Sequence, residues 1–130
     1  MLVIKYFDEM KGAPTLLISG SLSDVEQVAR FFNTWNGKRV DLVEYINQYT
    51  EVDLSGIRKL EVESSLSGTD SYVENIKDTC IWRITESGKM RISGLLQGLV
   101  ESEEPAHQYL DSRNSLVQII CSKDEYNFSQ

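Results

Sequence analysis

The spacing of apolar residues between positions 23 and 37 predicts an amphipathic helix. Apolar side chains recur there every three or four residues and form one stripe, made of Val25, Val28, Ala29, Phe32 and Trp35. Ser23 and Glu26 have the spacing of a capping box, in which each side chain bonds a free backbone N–H of the first turn. Asn36 and Gly37 tolerate the left-handed conformation with which many helices end. We expect the stripe to be buried against a sheet.

A second helix is predicted over residues 92–102. Its apolar residues also keep a helical period, at Ile92, Leu95, Leu96, Leu99 and Val100. A strand would carry apolar side chains on both faces, so the helix is favoured although Gly94 and Gly98 each cost about 1 kcal/mol relative to alanine. Pro105 prevents the helix from continuing. Residues 40–53 fit either a strand or a short helix capped by Asp41, and we favour a short helix or an irregular segment.

The other apolar runs predict strands. They cover residues 2–7, 15–20, 57–64, 71–76, 80–87, 107–111 and 116–122. The first two runs suggest an opening hairpin, and the last two suggest a final strand pair. Because short loops join neighbouring strands, we expect antiparallel pairing. The predicted fold class is α+β, a single globular domain over residues 1–130 with an antiparallel sheet of about six strands and two main helices packed on one face.

The balance of charge limits the kind of partner. Lys and Arg total 13 and Asp and Glu total 20, which gives a net charge of −7. Nucleic acids and anionic membranes are therefore expected not to be partners, and a basic protein is favoured. No apolar run approaches the roughly 20 residues that span a bilayer. The start of the chain lacks the pattern of a signal peptide, so we expect a cytoplasmic protein.

Two cysteines, Cys80 and Cys121, each lie in an apolar, strand-like run. They do not form a CxxC pair. The simplest interpretation is that both are reduced, buried thiols, as is usual in cytoplasmic proteins.

His107 is the only histidine, and it leaves two interpretations open. It could act as a general base with Glu103, Glu104 or Asp111 nearby in sequence, which would make the protein a small enzyme. It could instead be a structural residue at a strand end. One histidine without a neighbouring thiol matches no zinc-ligand pattern. We favour the structural interpretation, and we expect no catalytic residues, no metal and no cofactor.

Several segments resemble small bacterial immunity proteins of polymorphic-toxin and contact-dependent growth inhibition systems. The resemblance rests on Trp82, ISGLLQGLVES (92–102), HQYLD (107–111), VQIICSKDEY (117–126) and the opening TLLISGSLSDVEQVARFF (15–32). It implies a protein that neutralises a cognate toxin C-terminal domain by direct, non-covalent binding. Many such toxins are basic nucleases, which an acidic protein would cover well. The resemblance carries over no catalytic residue.

The acidic and tyrosine-bearing C-terminal region is the predicted partner-binding surface. It consists of Glu101, Glu103, Glu104, Tyr109, Asp111, Asp124, Glu125 and Tyr126. Tyrosines offer large contact area with a polar tip, and carboxylates steer a basic partner. Negative charges near the end of the second helix are unfavourable with the helix dipole, which suggests that they serve another purpose, such as binding a partner. A non-catalytic adaptor whose acidity serves solubility remains a further alternative.

Overall fold

Twelve elements make up the part of the chain that the structure, a computed structural model, describes: residues 1–66, 68–112 and 115–126. In chain order they are β1 (Leu2–Met10), β2 (Ala13–Gly20), α1 (Leu22–Thr34), β3 (Val40–Asp41), α2 (Leu42–Asn47), β4 (Val52–Ser55), β5 (Lys59–Ser64), β6 (Ser71–Ile76), β7 (Thr79–Ile84), α3 (Glu86–Glu101), β8 (Ala106–Tyr109) and β9 (Gln118–Lys123). The α+β class is confirmed.

The strands form two mixed sheets, so the prediction of one antiparallel sheet of about six strands is wrong. Five strands have the order β4-β1-β2-β9-β8, and four have the order β3-β5-β7-β6. The predicted hairpins β1–β2 and β8–β9 are antiparallel, as expected. However, β1 pairs with β4, β2 with β9 and β5 with β7 in parallel. In each of these three pairs, the segment that connects the two strands returns to the end of the sheet where the first strand began, so the second strand runs in the same direction.

The position of β7 shows why chain neighbours do not all pair. Strand β5 precedes β6, yet β7 lies between them. Cys80, Ile81 and Trp82 of β7 are all buried, so both faces of this strand are apolar. A strand of this kind is best covered in the middle of a sheet, where it has a partner on each side.

Helix α1 has the buried stripe that its apolar period predicts, because Val25, Val28, Ala29, Phe32 and Trp35 are all buried. The predicted cap is wrong, since Ser21 and Asp24 form the capping box. Asp24 is also buried and accepts a hydrogen bond from Thr50 Oγ1 at 2.8 Å. The helix ends at Thr34, and the next residue, Trp35, has an extended backbone. Gly37 has a left-handed φ of 88°, but it lies in the loop after the helix and does not end it.

The other two helices agree with the apolar period and differ in extent. The short helix α2 begins after Asp41, whose carboxylate accepts from the Glu44 N–H at 3.1 Å, as its spacing predicts. Helix α3 begins six residues before the predicted Ile92, after a Thr85 cap. Its first turn contains the buried Gly88, which lies against the backbone of the loop before β6. No helix in the described parts of the chain is both long and apolar enough to cross a membrane.

One hydrophobic core joins the inner faces of both sheets with the helices. Helix α1 packs on β2 and β9 of the five-stranded sheet. Its Phe32 ring also meets the Trp82 ring of the four-stranded sheet, with centroids 5.2 Å apart. The expectation of helices on one face of one sheet is therefore wrong, because α1 contacts both sheets.

A polar network beside this core ties distant segments together. The Arg91 guanidinium donates two hydrogen bonds to the Asp70 carboxylate, both at 3.1 Å. Ser112 Oγ donates to the same carboxylate. Trp82 Nε1 donates to Ser71 Oγ at 2.8 Å. The network links α3, the strands β6 and β7, and the loop after β8, so it fixes how the two sheets meet.

The two cysteines are free and buried, as expected from their apolar surroundings. Cys80 lies on β7 and Cys121 on β9, in different sheets. Burial raises the pKa of the Cys80 thiol to about 11 and that of the Cys121 thiol to about 12. A thiol with so high a pKa carries almost no thiolate near neutral pH and is inert.

Candidate functional site

The β8–β9 hairpin gathers most of the predicted binding residues at one end of the five-stranded sheet. Lys123 at the end of β9 lies opposite Ala106 at the start of β8. Residues after β9 therefore lie beside those that precede β8 and end α3. We call the resulting carboxylate surface the acidic edge, and it consists of Glu101, Glu103, Glu104, Asp124 and Glu125.

A buried lysine supports the acidic edge from below. Lys123 is 2% exposed, and its Nζ donates to the carbonyl oxygen of Ser102. Ser102 is the residue that caps the end of α3. A cation at this position offsets the negative end of the helix dipole, to which Glu101 and its neighbours add. Sequence reasoning found the unfavourable acidic charges but missed this cation, because it comes from a strand 21 residues further along the chain.

His107 pairs with Glu125, which sequence reasoning did not foresee. The Nδ1 atom lies 3.0 Å from both carboxylate oxygens of Glu125. Ser122 Oγ donates to the same carboxylate at 2.6 Å. Strand register is the signal that could have shown this, because His107 lies opposite Ser122 on β9. None of the three carboxylates proposed as partners from the sequence, Glu103, Glu104 or Asp111, bonds the imidazole.

The left-handed residue Asp124 brings Glu125 into this position. Its φ is 60°, and its N–H donates to the Gly20 carbonyl oxygen at 2.9 Å. Aspartate is one of the few residue types that adopt this conformation readily. The turn directs Glu125 back toward Ser122 and His107, and the Glu125 side chain is consequently only 26% exposed.

The serine and the histidine at this site do not form a nucleophile and its base. Ser122 Oγ and His107 Nδ1 both bond the carboxylate of Glu125. An activated serine would instead donate to the imidazole and would be accessible to a substrate. Ser122 is fully buried. Within the described residues, no group of three or more His, Cys, Asp or Glu side chains could hold a metal ion.

The two tyrosines and Asp111 differ in how they are placed. Tyr109 is 43% exposed and packs edge-on against the His107 ring at 5.7 Å. Tyr126 follows the acidic edge directly and is 36% exposed. Asp111 lies beyond the other end of β8, where its carboxylate accepts from the Ile119 N–H at 2.9 Å. This bond closes the hairpin, so Asp111 has a structural contact that its place in the sequence did not indicate.

The pKa of Glu125 is held below its ordinary value of 4.5. Burial raises the pKa, but the hydrogen bonds from Ser122 and His107 and the positive charges of His107 and Lys11 together outweigh that effect. A carboxylate with a lowered pKa stabilises the fold above its unfolded pKa, and this stability is lost as the pH falls through the folded pKa.

We therefore expect Glu125→Gln to lower the free energy of unfolding at pH 6 and to flatten its fall below about pH 4.5. Urea unfolding at pH values from about 6 to 3 measures this. Glu104→Gln is the matched control, because Glu104 is exposed and its carboxylate has no hydrogen bond to a described residue. Equal pH profiles for wild type and Glu125→Gln would contradict the expectation.

Comparison with known proteins adds no relative. The chain matches no protein family, no curated protein and no solved structure.

Proposed function

We propose that this protein binds and neutralises a toxin domain by covering a basic surface with its acidic edge. The observation that carries the proposal is a local excess of negative charge. Glu101, Glu103, Glu104 and Asp124 are exposed, and none of them forms an ion pair with another described residue. Only Glu125 has such a partner, His107. A surface of this kind attracts a basic partner and speeds its association.

The outer face of the four-stranded sheet gives an internal comparison. It also carries many charges, but there they neutralise one another. Arg39 lies 2.8 Å from Glu61, and Arg83 lies 3.4 Å from Glu74. Paired charges produce little field beyond the surface and mainly serve solvation. The acidic edge differs because four of its five carboxylates, all except that of Glu125, face solvent and form no ion pair with a described residue.

The resemblance to immunity proteins supplies the class of partner, a toxin domain with a basic active site. Exposed Tyr109 and Tyr126 border the acidic edge and add the amphipathic contact area that protein interfaces favour. The proposed inhibition is stoichiometric binding. It uses His107 to hold Glu125 and the hairpin in place, and it requires no catalytic step.

The test is charge reversal of Glu103, Glu104, Asp124 and Glu125 to lysine, against the toxin domain encoded beside the gene. We expect the association rate at low salt to fall at least about tenfold, because electrostatic steering is lost. Salt should then weaken binding of the wild type more than binding of the variant. Stopped-flow kinetics at about 50 and 300 mM salt measure both effects.

The matched control reverses four exposed carboxylates elsewhere, Asp8, Glu9, Glu51 and Asp53. It changes the net charge equally, so it separates the local surface from total charge. A double variant that reverses only Glu103 and Glu104 keeps Asp124, Glu125 and the His107 contact, so it controls for folding. If the acidic-edge variant associates as fast as the wild type, or no more slowly than the control variant, the surface is wrong. If the wild type binds no toxin encoded beside its gene, the proposed function itself fails.

A further inference from the structure

An aromatic cavity lies at the end of α1, on a part of the molecule separate from the acidic edge. Its volume is about 290 Å³, near the lower end of the range for ligand pockets. Phe31 and Trp35 form its apolar wall, with ring centroids 5.9 Å apart in a stacked arrangement. The Tyr45 ring meets Phe31 edge-on at 5.0 Å and forms another wall. Such walls suit a flat, aromatic group.

A second cavity of about 250 Å³ continues the first along α2. The two share Val40 and Tyr45 as lining residues, so they lie side by side, and we call the pair the groove. Val40 belongs to β3, which is an edge strand of its sheet. The groove therefore lies between a sheet edge and the helices α1 and α2.

The two halves of the groove carry opposite charges. Lys38 and Arg39 line the first cavity, and Asp41 and Glu44 line the second. Arg39 is held by Glu61 through two hydrogen bonds, and the Asp41 carboxylate caps α2. Lys38 and Glu44 are exposed, and neither forms an ion pair within the described part of the chain. Lys38 and Glu44 are therefore the two charged side chains of the groove that can pair with charges of a ligand.

We propose that this groove binds a short peptide with an aromatic side chain and two free ends. The ring would enter the cavity walled by Phe31, Trp35 and Tyr45. The carboxylate would meet Lys38, and the ammonium would meet Glu44. The chain between these residues is partly extended and partly helical, which limits their Cα separation to roughly 15 Å. An extended tripeptide is about 10 Å long, and the two charged side chains cover the difference.

The tripeptide Gly-Trp-Gly is the probe, and amide chemical shifts follow its binding to the isotope-labelled protein. We expect shifts at residues 31–48 with a dissociation constant of about 1 mM, typical of so small a ligand. Gly-Ala-Gly lacks the ring and should bind much more weakly. Acetylating the amino end or amidating the carboxyl end should each weaken binding about two- to fivefold, the value of an exposed ion pair.

Two variants assign the ends of the peptide. In Lys38→Gln, amidation should cost nothing further, while acetylation still weakens binding. In Glu44→Gln the reverse should hold. Lys77→Asn is the control, because it removes one exposed positive charge in a distant turn and asparagine tolerates the φ of 52° there. The proposal is overturned if Gly-Trp-Gly causes no shifts in this region at about 10 mM. It is also overturned if blocking either end leaves wild-type affinity unchanged.

Discussion

Replacing Phe32 by alanine should lower the free energy of unfolding by about 3–5 kcal/mol, the range for a fully buried aromatic residue. Phe32 is 0% exposed, so the whole ring leaves a cavity when it is removed. The ring also makes edge-on contacts with Trp35 at 6.3 Å and with Trp82 at 5.2 Å. The contact with Trp82 joins α1 to the four-stranded sheet, so the cavity would lie at the centre of the core.

Chemical unfolding of the purified variant measures this effect. Asn33→Ala is the matched control on the same helix, since Asn33 is exposed and its loss should change stability by no more than about 0.5 kcal/mol. A loss of less than about 1 kcal/mol for Phe32→Ala would reject the described packing of α1 against both sheets.

Replacing Gly88 by alanine should have a second large effect, of at least the roughly 1–3 kcal/mol typical of overpacking. A Cβ atom at position 88 would lie 2.0 Å from the Asp70 carbonyl oxygen, which is backbone and cannot rotate away. The start of α3 would have to move. That movement would break the hydrogen bond from the Thr85 N–H to the same oxygen, now 3.0 Å long. It would also disturb the contact between Arg91 and the Asp70 carboxylate.

Two other glycines on the same helix provide controls with the opposite sign. A Cβ at Gly94 or at Gly98 would meet no atom within 4 Å. Alanine there should raise the free energy of unfolding by up to about 1 kcal/mol through helix propensity. Thermal unfolding of the three single variants tests the contrast. Similar stabilities for Gly88→Ala and Gly94→Ala would show that α3 does not pack on the loop before β6 as described.

Local patterns predicted most of the elements, but β3 and β4 were missed, because residues 40–53 were expected to form a short helix or an irregular segment. The apolar period of α1 identified its buried face, and Asp41 marked the start of α2. The periods of two and of 3.6 residues come from backbone geometry within a few residues, so they are visible in a short stretch of sequence. The predicted cap of α1 was wrong, because Ser23 and Glu26 have the spacing of a capping box but do not form it. The structure uses Ser21 and Asp24, since Asp24 can then also bond Thr50.

The candidate site was predicted in part. Sequence order alone placed Glu103 and Glu104 near the start of a final hairpin, and Asp124 and Glu125 after it. Antiparallel pairing then brings the two acidic groups together. The partner of His107 was missed, because Glu125 is 18 residues away and reaches it only through the left-handed turn at Asp124. The buried Lys123 beneath the acidic edge was missed for the same reason.

The sequence by itself predicted seven of the nine strands in the described residues and the apolar faces of α1 and α3, and it determined that the chain is acidic. Only the tertiary structure decided that the strands divide between two sheets and that β7 lies between β5 and β6. It alone also determined that Arg91 meets Asp70 and that an aromatic groove forms beside β3. The physical reason is that strand partners and side-chain contacts across the fold depend on burying the whole set of apolar faces together. The residues that must be buried together are far apart in the chain, so no short sequence pattern shows which of them meet.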